Sequence, residues 1–118
     1  RKEYLYRSFK NDLAANNDKK VIERVDSILG KSIDDYELIR LKIFALIKLD
    51  RLDDAKKLAT SLVESSKVVD DYLLVSEIYV KNKEYDIALK YLESAYVQDY
   101  NEIILDKMSI VLYINLQR

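Results

Sequence analysis

Asn82-Lys83-Glu84-Tyr85-Asp86-Ile87-Ala88-Leu89-Lys90-Tyr91-Leu92-Glu93-Ser94-Ala95 is the stretch whose reading decides the fold. Ala88, Leu92 and Ala95 are spaced by four and then three residues, so they share one face of a helix. Small residues at the two outer sites let a neighbouring helix approach closely. Asn82-Lys83 marks a short break ahead of that helix. The same stripe occurs twice earlier in the chain, as Ala55-x3-Ala59-x2-Leu62 and, before that, as Val21-x3-Val25-x2-Ile28. The intervening helices keep the same step: Tyr72-x2-Val75-Ser76-x2-Tyr79 recurs one period later as Leu105-x2-Met108-Ser109-x2-Leu112. The period is about 33 to 34 residues, and a unit of two helices of that length cannot bury its apolar faces alone, so neighbouring units must share a core.

Working outward, apolar residues recur at helical spacing in seven segments. Leu5, Phe9 and Leu13 carry the first, interrupted by Asn16-Asn17-Asp18. Val21 to Leu29 form the second, with Gly30 where a helix C-terminus favours the left-handed region. Ser32 and Asp35 make a start signal resembling a capping box, with Asp in place of Glu. The third runs from Tyr36 to Leu49, and the fourth carries Leu52, Ala55, Leu58, Ala59 and Leu62. The fifth carries Tyr72, Val75, Ile78 and Tyr79, the sixth Tyr85 to Ala95, and the seventh runs from Ile103 to Leu116. Short breaks between such segments imply antiparallel helical hairpins, and the fold class is all-α.

Composition narrows the chemistry. The 118 residues include one Gly and no Pro, His, Cys or Trp. So little Gly and Pro disfavours sheet-rich and loop-rich folds and implies almost no tight turns with positive φ. Without His and Cys the usual general base, the strongest nucleophile and every Cys/His zinc site are missing. Lys and Arg total 20 against 21 Asp and Glu, a net charge of −1 that creates no overall attraction for nucleic acid or an anionic membrane. No apolar run approaches the roughly 18 to 20 residues of a membrane span. The chain begins at Arg1 and ends within a periodic apolar pattern, so both ends look cut from a longer protein.

From Val69 to Glu102 the chain resembles the tetratricopeptide repeat family. That family places an aromatic residue, Leu, Gly and Tyr on its first helix, then Ala, an apolar residue, Ala and Pro on its second. Tyr72, Val75, Ser76 and Tyr79 stand at the first set of sites, and Ala88, Leu92, Ala95 and Tyr100 at the second. The repeat from Tyr36 to Val68 departs more, with Ile43 at the small site, where its bulk opposes a close approach of that helix pair. The repeat from Lys2 to Asp35 is degenerate, with Phe9 there. The resemblance implies one domain over residues 1–118, a right-handed superhelix of antiparallel helix pairs. It holds three repeats, over about 2–35, 36–68 and 69–101, and one extra helix over 102–117.

Three acidic pairs, Asp34-Asp35, Asp53-Asp54 and Asp70-Asp71, each fall at a helix start, where carboxylates complement the dipole and accept from free N–H groups. That outweighs a metal or catalytic role, because adjacent helical residues point about 100° apart. Most of the ten tyrosines occupy packing sites, so core is the stronger reading over a stacking platform, with Tyr6, Tyr96 and Tyr113 the least committed. No cofactor and no enzymatic activity are expected.

In the family, the first helices of successive repeats line a concave groove. The resemblance places Tyr6, Lys10 and Leu13 there, then Arg40, Phe44, Ile47 and Lys48, then Leu73, Glu77, Val80 and Lys81. Asp106, Ile110 and Tyr113 follow from the last helix. Some members grip the terminal carboxylate of chaperone tails with Lys, Asn and Arg, but the Asn site here reads Phe44 and Glu77. The groove is apolar with a few charges. It suits a protein partner such as an amphipathic helix, and intrachain burial of the same residues is the competing explanation. The expected function is a non-catalytic protein–protein interaction scaffold. The alternative is a regulatory or targeting domain of an enzyme whose catalytic part lies outside residues 1–118. Pairing of two copies through exposed end helices is a further expectation.

Overall fold

The computed structural model describes residues 2–29 and 35–117, and these form seven α-helices with no strand among them. They are α1 (Lys2–Ala14), α2 (Asp18–Leu29), α3 (Tyr36–Lys48), α4 (Leu52–Ser66), α5 (Val69–Lys81), α6 (Tyr85–Gln98) and α7 (Glu102–Leu116). All seven periodic segments are helices. The Gly30 stop and the Ser32 half of the start signal lie outside the described residues, as does Asp34. Asp35 is within them and caps α3, its Oδ1 accepting from the Leu38 N–H at 3.3 Å.

The turns between helices overturn one expectation from composition. Asn16, Asp50, Lys67 and Lys83 all have positive φ, between 55° and 62°, without a glycine among them. Three of these turns share one hydrogen-bond pattern. After α1, Asn16 N–H donates to the Leu13 carbonyl at 3.1 Å and Asn17 N–H to the Asp12 carbonyl at 2.8 Å. Asp50 to Ile47 and Arg51 to Leu46 repeat this after α3, and Lys83 to Val80 and Glu84 to Tyr79 repeat it after α5. This pair of bonds is the Schellman termination, which satisfies carbonyls that the helix end would otherwise leave without donors. The bonds hold a single left-handed residue in place even where a Cβ makes that conformation costly. Asn16, Asp50 and Lys83 stand one repeat apart in turn, so the backbone recurs at the period of the apolar stripes. Lys67 ends α4 differently, with one bond from its N–H to the Val63 carbonyl.

The chain divides into two compact units, residues 1–58 and 59–118, with the division inside α4. In the first unit, contacts set the helix directions. Lys48 on α3 lies beside Asp18 at the start of α2, and Lys42 bonds Asp26 near its end at 2.6 Å, so α2 and α3 are antiparallel. Tyr6 reaches Asp35 and Leu13 receives Lys48, so α1 and α3 run the same way. The core holds Phe9, Val21, Val25, Leu38, Leu41, Ile43 and Leu46. Arg24 lies over Phe9, its guanidinium carbon 4.2 Å from the ring centroid, while Nη1 donates to Asp12 at 2.7 Å and Ser8 at 3.1 Å. Both bulky residues at small-residue sites, Phe9 and Ile43, are fully buried.

The second unit is built on α5 and α6, with α7 packed on α6. Asn115 near the end of α7 donates to Asp86 at the start of α6, 2.8 Å away, which makes those helices antiparallel. Ala88, Leu92, Ala95, Val75 and Ile78 are fully buried, as are Ala59 and Leu62. Ser76 is buried too, its hydroxyl donating to the Leu73 carbonyl at 2.7 Å. The sites matched to Ala88, Leu92 and Ala95 in α2 and α4 are buried as well, except Ile28, which is half-buried.

The tyrosines depart from the expectation that most are core. None is fully buried: Tyr4, Tyr36, Tyr100 and Tyr113 are exposed and the other six are half-buried. A phenol keeps its hydroxyl near water unless a partner satisfies it, so these rings wall the core rather than fill it. Tyr91 of α6 stacks on Tyr79 of α5 at 5.6 Å between centroids and tilts against Tyr72 at 6.4 Å.

Candidate partner-binding surfaces

The groove residues named from the sequence fall into two sets, one in each unit. In the first unit α1 supplies Tyr6, Lys10 and Leu13, and the parallel α3 supplies Arg40, Phe44, Ile47 and Lys48. Several are tied to structural partners. The Tyr6 hydroxyl donates to both carboxylate oxygens of Asp35, at 3.0 and 2.8 Å. Its burial, that hydrogen bond and the charges of Asp35 and Glu37 push the Tyr6 pKa up to about 12. Lys48 donates to the Leu13 carbonyl, which closes the C-terminal end of α1 against α3, and its ammonium lies 3.2 Å from buried Asp18 Oδ1. That carboxylate oxygen has the ammonium as a counter-charge at a geometry that makes no hydrogen bond. Arg40 pairs with Glu37 at 3.0 Å and sits 6.0 Å from the centre of the Tyr36 ring. Lys10, Phe44 and Lys48 are the exposed members, with Phe44 43% accessible, and Leu13 and Ile47 are half-buried.

In the second unit, α5 and α7 divide the named residues between core and solvent. Leu73 and Val80 pack against the cluster of Ala88, Leu92 and Val111, so they belong to the wall of the core. Glu77, Lys81 and Asp106 are exposed. Ile110 and Tyr113 are 59% and 66% accessible, which makes them the most open apolar members of the set.

The structure adds residues that sequence reasoning left out. Ile103, Leu105, Leu112 and Leu116 on α7 are also exposed, with Leu116 at 72%. Only Ile104 and Val111 of this helix are fully buried, with Met108 half-buried against the α6 core. From Met108 to Gln117 there is no charged side chain. The exposed apolar area on this one helix is on the order of several hundred Å², the size at which such a patch on a protein surface marks an interaction site. Its signal is present in the repeat. Leu105 and Leu112 occupy the register of Tyr72 and Tyr79, whose rings α6 shelters in α5.

The acidic pairs have local duties. Asp54 accepts two bonds from Arg51, at 3.1 and 2.9 Å, and buried Asp71 accepts from the Ser66 hydroxyl at 2.5 Å. Among the described residues no three acidic side chains converge on a point where a metal ion would sit. Nor is any helix there long and apolar enough to cross a membrane. Burial, together with the charges of Tyr79, Glu64 and Tyr72, raises the pKa of Tyr91, which fits its place inside the ring stack.

These features define an all-α chain of helical hairpins whose turns and apolar stripes recur at one shared period. Neither the family models nor the curated proteins searched contain a match to this chain.

Proposed function

We propose that this chain is a non-catalytic protein–protein interaction module, built from divergent repeats of the tetratricopeptide kind. It docks a protein or peptide partner through exposed apolar side chains on the first helix of its repeats. The observation that carries this reading is the open, uncharged run of α7 from Met108 onward, where Ile110 and Tyr113 stand free of the core. A partner that covers such side chains gains about 25 cal/mol for each Å² of apolar surface removed from water. Phe44 on α3 offers a smaller exposed apolar site of the same kind in the first unit.

The test is affinity capture of partners by the wild-type chain and by the triple variant Phe44→Ala, Ile110→Ala, Tyr113→Ala. All three positions are exposed, so the variant should keep its helical circular dichroism while losing the captured protein. Leu73 and Val80 are poor choices here because truncating them would disturb the core cluster. An unchanged set of captured proteins from a folded variant would refute the proposed surface.

A further inference from the structure

We infer that the turn joining α6 to α7 is a second docking surface, and that its occupant is a basic segment of a partner protein, with Arg or Lys set around an apolar side chain. The surface uses none of Phe44, Ile110 and Tyr113, so it goes beyond the proposed interaction face and is tested separately.

Val97, Tyr100 and Ile103 follow one another at three-residue steps across this turn, and each is at least 65% accessible. One repeat earlier, around the turn from α4 to α5, the same sites hold Glu64, Lys67 and Asp70. Those three are exposed as well, although α6 and α7 follow them in the chain. A following hairpin therefore leaves these sites in water, and the earlier repeat fills them with charge. At the α6–α7 turn all three have become large and apolar, a change that packing within the chain does not call for. The tip is also held in one shape. Asn101 N–H donates to the Asp99 carbonyl at 2.7 Å, and Asn101 Oδ1 accepts from the Ile103 N–H at 2.7 Å. The Tyr100 ring meets Tyr96 edge to face, 5.3 Å between centroids. A surface ordered in advance loses less entropy when a partner arrives.

Charge selects the occupant. From Tyr91 to Asp106 the chain carries four acids, Glu93, Asp99, Glu102 and Asp106, and no base, with Lys90 and Lys107 the first bases on either side. All four acids are exposed, and because α6 and α7 are antiparallel they gather at the end of the hairpin that carries the turn. Glu93 stands one helical turn before Val97 and Asp106 three residues after Ile103, so the acids border the apolar residues. Such a negative rim repels RNA, an anionic membrane and a second copy of itself, and it draws a positive partner. An Arg guanidinium there meets carboxylates and the open Tyr100 ring, where cation–π attraction adds to the ion pairs. The acids set the charge of the partner, and the three apolar side chains supply the area that it covers.

The probe is a short synthetic peptide with one Leu between Arg residues, beside a counterpart in which every Arg is Glu. Each is titrated into the isotope-labelled chain while amide NMR shifts are followed. The expected result is saturable shifts centred on Val97, Tyr100 and Ile103 with the Arg peptide, weakening as salt is raised, and none with the Glu peptide. The variant Val97→Glu, Tyr100→Lys, Ile103→Asp carries the earlier repeat's own residues at exposed sites, so it should stay folded and weaken binding about tenfold or more. It makes the tip more negative, so weaker binding there reports the lost apolar surface. Glu93→Gln with Asp106→Asn keeps that surface and should weaken binding about threefold. Three results would overturn the inference: no shifts at the three residues up to millimolar Arg peptide, an equal response to the Glu peptide, or unchanged binding by the triple variant. Any of these, with partner capture still dependent on Phe44, Ile110 and Tyr113, would discard the turn surface and leave the interaction module standing.

Discussion

Leu92→Ala and Leu112→Ala remove the same three carbons from two helices of one unit, and the structure predicts very different consequences. Leu92 is about 1% accessible, between Ala88 and Ala95, in contact with residues of α5 and α7. Losing its outer carbons forfeits roughly 0.8 kcal/mol for each buried CH2-sized group, about 2.4 kcal/mol in all. A residual cavity adds to that, and buried Leu→Ala changes span about 2–5 kcal/mol. We therefore expect about 3 kcal/mol for Leu92→Ala. Leu112 is 47% accessible, so its truncation should cost less than about 1 kcal/mol. Urea unfolding followed by far-ultraviolet circular dichroism separates the two. With a slope of about 1.5 kcal/mol/M, the Leu92→Ala midpoint should fall by about 2 M and the Leu112→Ala midpoint by less than about 0.7 M. Equal shifts in the two variants would refute the assignment of Leu112 to solvent.

Other consequences can be checked in the same way. Asn101→Ala removes the side chain that accepts from the Ile103 N–H at 2.7 Å at the start of α7, and should cost about 1 kcal/mol in urea unfolding. Lys67 holds a φ of 55° with a Cβ attached, so Lys67→Gly should raise the stability measured by urea unfolding by about 0.5–1 kcal/mol after the glycine's greater unfolded-state entropy is counted. Tyr6 ionises late because burial and Asp35 favour its neutral form. Its folded pKa of about 12 exceeds the ordinary 10.0, so its contribution to stability is whole below pH 10 and is lost as pH rises towards 12. A spectrophotometric tyrosine titration should show a late group that moves earlier in Asp35→Asn, while Tyr91, raised by burial within its ring stack, stays where it is; a titration in which no late group moves with that change would contradict the assignment.

Much of the architecture is legible in the sequence because helix periodicity, unlike turn chemistry, is written in many residues at once. The stripe Ala88-x3-Leu92-x2-Ala95 and its counterparts locate the buried faces of three helices by spacing alone. The turns are not legible from glycine content, because three Schellman terminations hold Asn16, Asp50 and Lys83 at positive φ with backbone hydrogen bonds. The tyrosines occupy repeat sites, which suggests core, but a ring on a packing site can wall a core while its hydroxyl keeps to the water. The groove residues are only partly legible for a related reason. A register assigns a residue to a helix face, and whether a neighbour covers that face depends on packing that no single position encodes. Val80 goes to the core cluster, while Tyr113, one repeat further on at the same register, stays open.

Ser76 and Ser109 stand at one register of successive repeats, the first buried on α5 and the second exposed on α7. Because the chain has no cysteine of its own, Ser76→Cys and Ser109→Cys each introduce a single thiol whose alkylation rate reports cover at that site. The account predicts that the thiol at position 109 reacts faster by about two orders of magnitude, since the one at 76 must await local opening. Equal rates for the two thiols in folded protein would contradict it.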